Sequence, residues 1–337
     1  MALTLAQAAN LSNDILQQGV IERLIYKDPI LEKLQFKDIR GNGLTYNVET
    51  TLSTANFYGV NEIWTESTSA TTPATAVTTI LGGDADVDSF LEATRSDVND
   101  LMQEQINSKI RAIKHAYMNM FYYGWNGATP IDSKGFTGLH GLIYSTVATY
   151  PNTVTVGATG VPTVALSLTD VEKAVDMIKV GEPNLMVMSK LMRRNINKYL
   201  RGVGGLTYTD AANGRIQTIF GIPVVVSDEI SDTEDCTKDY GPASGTYEFG
   251  FDYTMGTVYT ATSGAAAGTT IFLLQFAPEA VCGIQTDGTI KVEPLGSLET
   301  KDAKRVRIKW YPGLMLQNIL TSSKVAGIAT VTQTVAV

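Results

Sequence analysis

Cysteine and histidine are scarce in this chain, and their scarcity excludes several kinds of site. The 337 residues include two cysteines, Cys236 and Cys282, and two histidines, His115 and His140. The cysteines form no CxxC pair, so we expect no disulfide framework, and a reducing interior fits best. The histidines belong to no HExxH pattern, so we predict no metal site and interpret His115 as a helix-face residue and His140 as a turn residue.

Long apolar runs and an excess of positive charge are also missing. The most apolar late stretch, IFLLQFAPEAVCGI, is interrupted by Gln275, Pro278 and Glu279, so we expect no membrane span. The start, MALTLAQAANLSND, lacks a basic leader, and we expect no signal peptide. The net charge is −8, whereas affinity for nucleic acid comes from Lys and Arg. Any contact with DNA should therefore be weak, local and non-specific.

The usual patterns of catalysis and cofactor binding are absent as well. No GxxxxGK[ST] loop occurs, and the glycines of Gly202–Gly205 follow a helix instead of opening one. Ser244 lies in GPASG, which misses the GxSxG spacing. The acidic repeat at 84–88 is followed by Ser89 and Arg95, where a calcium loop needs Gly and Glu. We therefore predict that the chain is not an enzyme and has no catalytic residue and no cofactor.

What the sequence does contain is, above all, one long amphipathic helix over Thr94–Gly124. Thr94 is placed to cap its start, and Gly124 to end it. At about 1.5 Å per residue the helix would be roughly 45 Å long, so the rest of the chain must pack around it as a spine. The apolar residues that recur at three- and four-residue spacing are Val98, Met102, Ile106, Ile110, Ile113, Tyr117 and Phe121.

Two segments before this helix have too little apolar surface to fold alone. The first is an N-terminal arm of short helical pieces, which Asp28-Pro29 interrupts. The second is a two-stranded ribbon, in which alternation over Leu44–Leu52 predicts one strand, and Thr75–Leu81 with Ala85–Leu91 predicts the return. Because such a ribbon is marginal in water, both segments need a surface of this chain or of another. Candidate hinges flank the ribbon at Gly41, Gly43, Gly82 and Gly83.

The ribbon region carries negative charge alone, since no Lys or Arg lies between Arg40 and Arg95. An acidic ribbon favours a basic partner. The segment 301–309 is one candidate and the basic half of the long helix another, while a solvent-exposed strand face with no specific partner is the third reading. The candidate inter-subunit contacts are therefore Glu49, Glu62, Trp64, Glu66, Lys301, Lys304, Arg305 and Arg307.

Helices and buried strands alternate after the long helix. SLTDVEKAVDMIKV predicts a short helix with a Thr169/Glu172 capping box, and SKLMRRNINKYLR a second helix that packs through Met192 and Ile196. LMVMS and IFGIPVVVS predict buried strands, so the region indicates a compact α/β unit. A basic cluster on the second helix could contact phosphates, although such a cluster is usually the solvent-exposed face: Arg193, Arg194, Lys198 and Arg201.

Taken in order, these pieces resemble the major capsid protein of tailed double-stranded-DNA bacteriophages, whose shell fold is shared with encapsulins. The stretches that carry the resemblance are DPILEKLQFKDIRGNGLTYNV, the long helix followed by GFTGLHGLI, PNLMVMSKLMRRNINKYL, IFGIPVVVSDEIS and the closing GTIKVEPLGSLETKDAKRVRIKWYPGLMLQNILTSSKVAGI. Together they cover nearly the whole chain. Each stretch alone is weak, and the ordered set carries the resemblance.

The resemblance implies an α+β chain with the tailed-phage major capsid fold. The implied division is an N-terminal arm at 1–43, an extended two-stranded loop at 44–91, a peripheral domain with the long spine helix at 92–166, a mixed α/β axial domain at 167–276, return strands of the peripheral domain at 277–312, and a C-terminal segment of the axial domain at 313–337. The tip of the axial domain, residues 228–245, would face the centre of each hexamer or pentamer.

The implied function is self-assembly, as hexamers and pentamers, into an icosahedral capsid that encloses the double-stranded DNA genome of a tailed phage. We therefore expect a virion capsid protein that assembles in the host cytoplasm. Its expected partners are copies of itself, a portal, a decoration protein, the packaged DNA and, because no large scaffolding segment precedes the fold, a separate scaffolding protein. Some relatives link their shells through a lysine in the extended loop. This loop has no lysine, so we predict no such isopeptide bond.

Two other functions stay open at this point. An encapsulin-like compartment enclosing a cargo enzyme would use the same fold, although the long acidic ribbon favours the phage shell. A soluble α+β enzyme with a dispersed site is the alternative from another class.

Overall fold

The computed structural model describes residues 29–95, 101–124, 134–143, 152–156, 166–203, 205, 207–211, 214–232, 234–235, 251–252, 257–258, 267–288 and 290–329. The helices are α1 Pro29–Lys33, α2 Ser89–Arg95, α3 Leu101–Tyr123, α4 Leu139–Leu142, α5 Leu168–Asp176 and α6 Lys190–Val203, with a 3-10 turn at Ile319–Thr321. The strands are β1 Phe36–Ile39, β2 Gly43–Thr51, β3 Ala70–Val77, β4 Leu81–Asp88, β5 Thr153–Thr155, β6 Leu185–Met188, β7 Thr207–Ala211, β8 Gly214–Ile219, β9 Ile222–Val226, β10 Glu234–Asp235, β11 Phe251–Asp252, β12 Thr257–Val258, β13 Ala267–Leu274, β14 Val281–Thr286, β15 Lys291–Ser297, β16 Ala303–Trp310, β17 Pro312–Leu316 and β18 Ser323–Ala329.

The largest sheet has eight strands, in the order β5-β18-β13-β6-β9-β8-β7, with β10 paired to β13. Its central strands are apolar on both faces; every residue of Leu185–Met188 is buried, as expected where helices cover a sheet. Val171 of α5 and both Met192 and Ile196 of α6 belong to the same buried cluster as Met186 and Met188 of β6. The predicted α/β unit is therefore present.

Four smaller sheets are present among the described residues, and one of them, through β4 and β16, contacts the spine helix α3. Strands β15, β16 and β4 form this sheet, β1, β14 and β17 a second, β2 with β3 the ribbon, and β11 with β12 a short pair. The late strand β16 pairs with β4 along its whole length, from Ala303 opposite Asp88 to Trp310 opposite Leu81. Distant parts of the chain are thus interleaved within single sheets.

The long helix is present as Leu101–Tyr123, and its last turn, residues 120–123, is buried on all sides. Tyr117 packs against Trp310 of β16 with ring centroids 4.7 Å apart. The predicted start was wrong: Thr94 lies inside the separate helix α2 and donates its hydroxyl to the Phe90 carbonyl at 2.7 Å. Residues 96–100, including Val98, lie outside the described residues.

Two details of the predicted ribbon are corrected. Its return strand is Ala70–Val77, so the small, polar stretch SATTPATA is strand from Ala70 onward, and the next strand begins at Leu81. Pro73 lies opposite Asn47. Each strand of a two-stranded ribbon is an edge strand, and proline, which has no N–H to donate, is tolerated in edge strands. The first strand, Gly43–Thr51, agrees with the predicted alternation. No helix among the described residues is long and apolar enough to cross a membrane.

Candidate assembly interface

The base of the ribbon is attached to the body of its own chain. The Thr79 N–H donates to the Pro312 carbonyl at 2.9 Å, and the Tyr46 hydroxyl donates to the Leu316 carbonyl at 2.9 Å. Leu44, Tyr46 and the buried Ala76 pack against the apolar cluster of β14 and β17. The inner half of the ribbon therefore has its support within the protomer.

The outer half of the ribbon has no such support from the residues that the structure describes. Residues 52–69, which we call the ribbon tip, contain no helix or strand. Apolar side chains of the tip stand in solvent: Leu52, Phe57, Val60, Ile63 and Trp64. Ile63 is 87% exposed and Trp64 78%, although side chains of this size dominate the energetics of cores and interfaces. Patches of this kind mark interaction surfaces.

Local contacts hold the ribbon tip in a defined shape. The Tyr58 and Trp64 rings stack with centroids 4.9 Å apart and planes 4° from parallel. The Thr65 N–H donates to the Tyr58 hydroxyl at 3.1 Å, and the Gly59 N–H donates to the Glu62 carboxylate at 2.6 Å. The tip thus presents an ordered apolar surface, which lowers the entropy that a partner would have to remove on binding.

Strand β4 is the last strand of the acidic ribbon region, and its acidic side chains face basic side chains of the neighbouring strand β16. Asp86 lies directly opposite Arg305, and Asp84 opposite Arg307. Arg305 donates to Asp86 from Nε at 2.6 Å and from Nη2 at 2.7 Å, and Arg307 binds Asp84 in the same way at 2.8 and 2.9 Å. Such two-point pairs are among the stronger charge-assisted hydrogen bonds.

These pairs lower the pKa of both carboxyl groups. Hydrogen bonds from Arg305, with help from Lys301, hold the pKa of Asp86 well below its usual range. The hydrogen bond from Arg307 lowers the pKa of Asp84. Both carboxylates stay ionised wherever the protein is folded at ordinary pH.

The structure therefore separates the predicted contact residues into two groups. The basic group meets acids of its own chain: Lys301 pairs with Asp86 at 2.9 Å and Lys304 with Glu92 at 2.9 Å, in addition to the arginine pairs. The ribbon group, Glu49, Glu62, Trp64 and Glu66, is exposed, and in the described part of the chain no basic side chain pairs with its carboxylates. An inter-subunit role for either group stays a prediction.

The candidate hinge glycines occupy different surroundings. Gly41 precedes β2 with φ +105°, which favours glycine. Gly43, Gly82 and Gly83 lie within strands, and a Cβ on Gly82 would come 2.5 Å from the Ile308 carbonyl oxygen. The close approach of β4 to β16 leaves room only for glycine at position 82. A hinge at this position would require the pairing of β4 with β16 to open.

A buried polar cluster, which the sequence did not predict, joins α3, α4 and the large sheet. Glu234 accepts from the Tyr123 hydroxyl at 2.7 Å and from the Thr270 hydroxyl at 2.6 Å. Its carboxylate lies 3.6 Å from His140 Nε2, and Lys324 Nζ donates to the His140 carbonyl at 2.8 Å. His140 was predicted as a turn residue but is buried in α4. His115, as predicted, is on a helix face, where it pairs with Glu229 at 2.8 Å.

Burial dominates the protonation of this cluster. It lowers the pKa of Lys324 to about 7, which Glu234 opposes, and it also lowers the pKa of His140. Glu234, His140 and Lys324 are all buried, so a substrate could reach them only if the surrounding core opened. The cluster can join distant segments, and its geometry offers no open reaction site. Among the described residues, no group of acids, histidines and cysteines is arranged to hold a metal ion.

Comparison with known proteins places the fold. No protein-family model matches the sequence, and no curated protein matches it either. Among solved structures, the SrpI encapsulin of Synechococcus elongatus PCC 7942 is similar over 100% of this chain and 99% of its own, with a TM-score of 0.64 and 13% identity. The capsid of a native GTA particle matches 96% of this chain and 99% of its own, with a TM-score of 0.63 and 13% identity.

The capsid of the cyanophage P-SCSP1u is also similar, over 94% of this chain and 93% of its own, with a TM-score of 0.56 and 13% identity. The chain thus has the α+β fold of phage capsids and of an encapsulin, and the predicted fold class is confirmed. Because sequence identity is so low, the likeness establishes the fold alone.

Proposed function

We propose that this chain is a major capsid protein, which assembles as hexamers and pentamers into the icosahedral shell that encloses the double-stranded DNA of a tailed phage. The observation that carries the proposal is the ribbon tip, whose ordered apolar surface is left in solvent by the described part of its own protomer. A second copy of the chain is the occupant that we assign to this surface. Closed symmetric assemblies are built by repeating one such contact.

The fold supports this assignment over an enzyme. The similar structures are capsids and an encapsulin, and the similarity extends over nearly the whole length of each chain. In the described residues the best candidate for a reactive cluster, around Glu234, is buried. The proposal also includes the domain division given above, assembly in the host cytoplasm, and a scaffolding protein, a portal and a decoration protein as partners.

In the assembled shell, Glu49, Glu62, Trp64 and Glu66 would contact a neighbouring copy. These carboxylates lie on or beside the ribbon tip and are exposed, and a basic surface of the neighbour would complement them. Lys301, Lys304, Arg305 and Arg307 would contribute less to such a contact, because carboxylates of their own chain already bind them. Gly41 is the position best suited to adjust the angle of the ribbon.

A second candidate is an encapsulin-like compartment, because an encapsulin is similar to the chain over its full length. The contents of purified particles distinguish the two. Particles isolated from the cells that produce the chain are treated with nuclease and then opened. Protected double-stranded DNA supports the phage shell, and an enclosed protein without DNA supports the compartment. A chain that stays monomeric at every concentration contradicts both.

A further inference from the structure

The helix α6 concentrates positive charge on one side in a chain whose net charge is −8. Its sequence, KLMRRNINKYLRGV, contains no acidic residue. Five cationic residues recur at spacings of three and four, and we call them the α6 basic face: Lys190, Arg193, Arg194, Lys198 and Arg201. Residues at this spacing share one side of a helix, so the face extends over the whole length of α6.

The opposite side of α6 holds the helix in a fixed orientation. Met192 and Ile196 are buried in the core of the large sheet. On the basic side itself, Asn197 follows Arg193 by four residues, and its Nδ2 donates to Gln217 Oε1 of β8 at 3.1 Å. The helix therefore cannot turn its basic side inward, and Arg193, Lys198 and Arg201 are exposed.

Most of the basic face is not neutralised by the residues that the structure describes. Lys190 pairs with Asp228 at 2.6 Å. Arg194 lies near the carboxyl group of Asp232. Burial raises the pKa of Asp232, and the positive charge of Arg194 opposes that rise. Among the residues that the structure describes, no carboxylate bonds to Arg193, Lys198 or Arg201. These three cations are exposed on a helix of fixed orientation, so they can bind an external anion.

The chemistry of the face favours a phosphate backbone over a protein. Its exposed members are cations, with no aromatic or aliphatic anchor among them, whereas protein interfaces depend on buried aromatic and apolar anchors. Binding to double-stranded DNA needs no such anchor, because affinity comes from Lys and Arg that displace counterions from phosphates. Cations on successive turns are about 5.4 Å apart, so several can contact one stretch of backbone.

We propose that the α6 basic face binds the phosphate backbone of double-stranded DNA without regard to sequence. This inference rests on the proposed function and deepens it, since it assigns the weak local contact with packaged DNA to one helix. It also implies that α6 lies on the inner wall of the shell. The rest of the acidic surface would repel DNA and leave this helix as the preferred point of contact.

The test is a salt titration of DNA binding by the full-length chain. Fluorescence anisotropy with a duplex of about 30 base pairs, between about 50 and 200 mM salt, gives the slope of log K against log salt, to which each phosphate contact adds about 0.9. The variant is Arg193→Gln/Lys198→Gln/Arg201→Gln. The matched control is Lys33→Gln/Lys37→Gln/Lys179→Gln, which removes the same charge from exposed positions elsewhere.

We expect the α6 variant to bind at least about tenfold more weakly at the lowest salt and its slope to fall by about 2 to 3, while the control keeps both values near wild type. Circular dichroism checks that both variants are folded. No binding by the wild type, an unchanged slope in the variant, or an equal loss in the control would overturn the proposal. So would poly-glutamate that binds as tightly as DNA, because the face would then fit an acidic protein.

Particle formation, recorded by electron microscopy on the same samples, keeps this test separate from the proposed function. A chain that binds DNA through α6 but forms no particles contradicts the shell, and leaves the DNA surface supported. A chain that forms particles while the α6 variant binds DNA as well as wild type contradicts the surface alone.

Discussion

Arg305 holds Asp86 at two points across neighbouring strands, with Nε at 2.6 Å and Nη2 at 2.7 Å from the two carboxylate oxygens. The residues are far apart in sequence, so the pair joins the end of the ribbon region to a late strand. With Asp84 and Arg307 it forms a matched set of charges, two residues apart on each strand. This pairing fixes the register of β4 on β16.

Loss of the Asp86 carboxylate should destabilise the fold and alter its response to acid. Asp86→Asn removes a charge-assisted pair, at a cost of about 1.5 to 3 kcal/mol in the free energy of unfolding. The folded pKa of Asp86 lies below its unfolded value of about 3.9. The pair therefore stabilises above about pH 4, and that stabilisation is lost as the pH falls toward the folded pKa. Urea denaturation from neutral pH down to about pH 2.5 measures both effects.

Asp176→Asn, at an exposed carboxylate on α5, is the control for this prediction and should stay within about 0.5 kcal/mol of wild type. The Asp86 variant should also lose less stability in acid than wild type does. Equal stability of the two variants, or parallel acid profiles for wild type and Asp86→Asn, would show that the pair does not stabilise the fold.

The buried amino group of Lys324 should make stability rise with pH above neutrality. Its folded pKa of about 7 lies below the unfolded value of about 10.4. The unfolded state therefore holds more protons between these values, and the free energy of unfolding increases with pH by up to about 1.4 kcal/mol per unit. Lys324→Met removes this contribution, so its unfolding free energy should change less between about pH 7 and 9.

Lys173→Met, on the surface of α5, serves as the comparison and should keep the wild-type rise. Thermal or urea unfolding at each pH gives the difference between the variants directly. If wild type and Lys324→Met change in parallel, the amino group is protonated in the fold throughout this range, and the account of the buried cluster is wrong.

Gly82 should tolerate no side chain, because β4 lies so close to β16 at this point. A Cβ there would come 2.5 Å from the Ile308 carbonyl oxygen, so Gly82→Ala should cost about 1 to 3 kcal/mol, as overpacking does. Gly202 is in helix α6 with nothing within 4 Å of its Cβ position, and Gly202→Ala should be neutral or stabilising by up to about 1 kcal/mol. Denaturation midpoints compare the two, and equal effects would contradict the observed pairing.

Local features of the fold were predictable from the sequence. Three-and-four spacing predicted the long helix, and alternation predicted strand β2. The predicted cap at Thr94 failed because the Asp88 carboxylate accepts from the N–H groups of Phe90 and Leu91, at 2.9 and 3.3 Å, and starts a helix earlier. Asp88 and Thr94 are both suitable N-caps, and which of them starts a helix depends on where β4 ends its pairing with β16. That pairing is not a local property.

Contacts between distant segments were beyond the reach of one sequence. Glu234 contacts Tyr123 and Thr270, and Lys324 contacts His140, although these residues lie far apart in the sequence. The matched charges of β4 and β16 did leave a signal, since acids at 84 and 86 and arginines at 305 and 307 share the period of a strand. The prediction of a basic partner came from the negative charge of the whole ribbon region, and the structure supplies such a partner for β4.

The ribbon tip should control assembly without affecting the fold. Ile63→Ser/Trp64→Ser removes two exposed apolar side chains, so the protomer should unfold at the wild-type denaturant concentration while particles fail to form. Val180→Ser/Val292→Ser changes exposed apolar residues outside the tip and should assemble normally. Sedimentation velocity measures assembly. Normal particles from the tip variant would remove the tip from the proposed interface.

The central claim is that the ribbon tip is covered by another copy of the chain. A cryo-electron-microscopy reconstruction of the assembled chain tests it most directly, because it shows what lies against residues 52–69. We predict a closed shell of hexamers and pentamers in which Trp64, 78% exposed in the protomer, is buried against a neighbouring copy. A shell in which Trp64 stays in solvent, or is covered by its own protomer, would contradict the account.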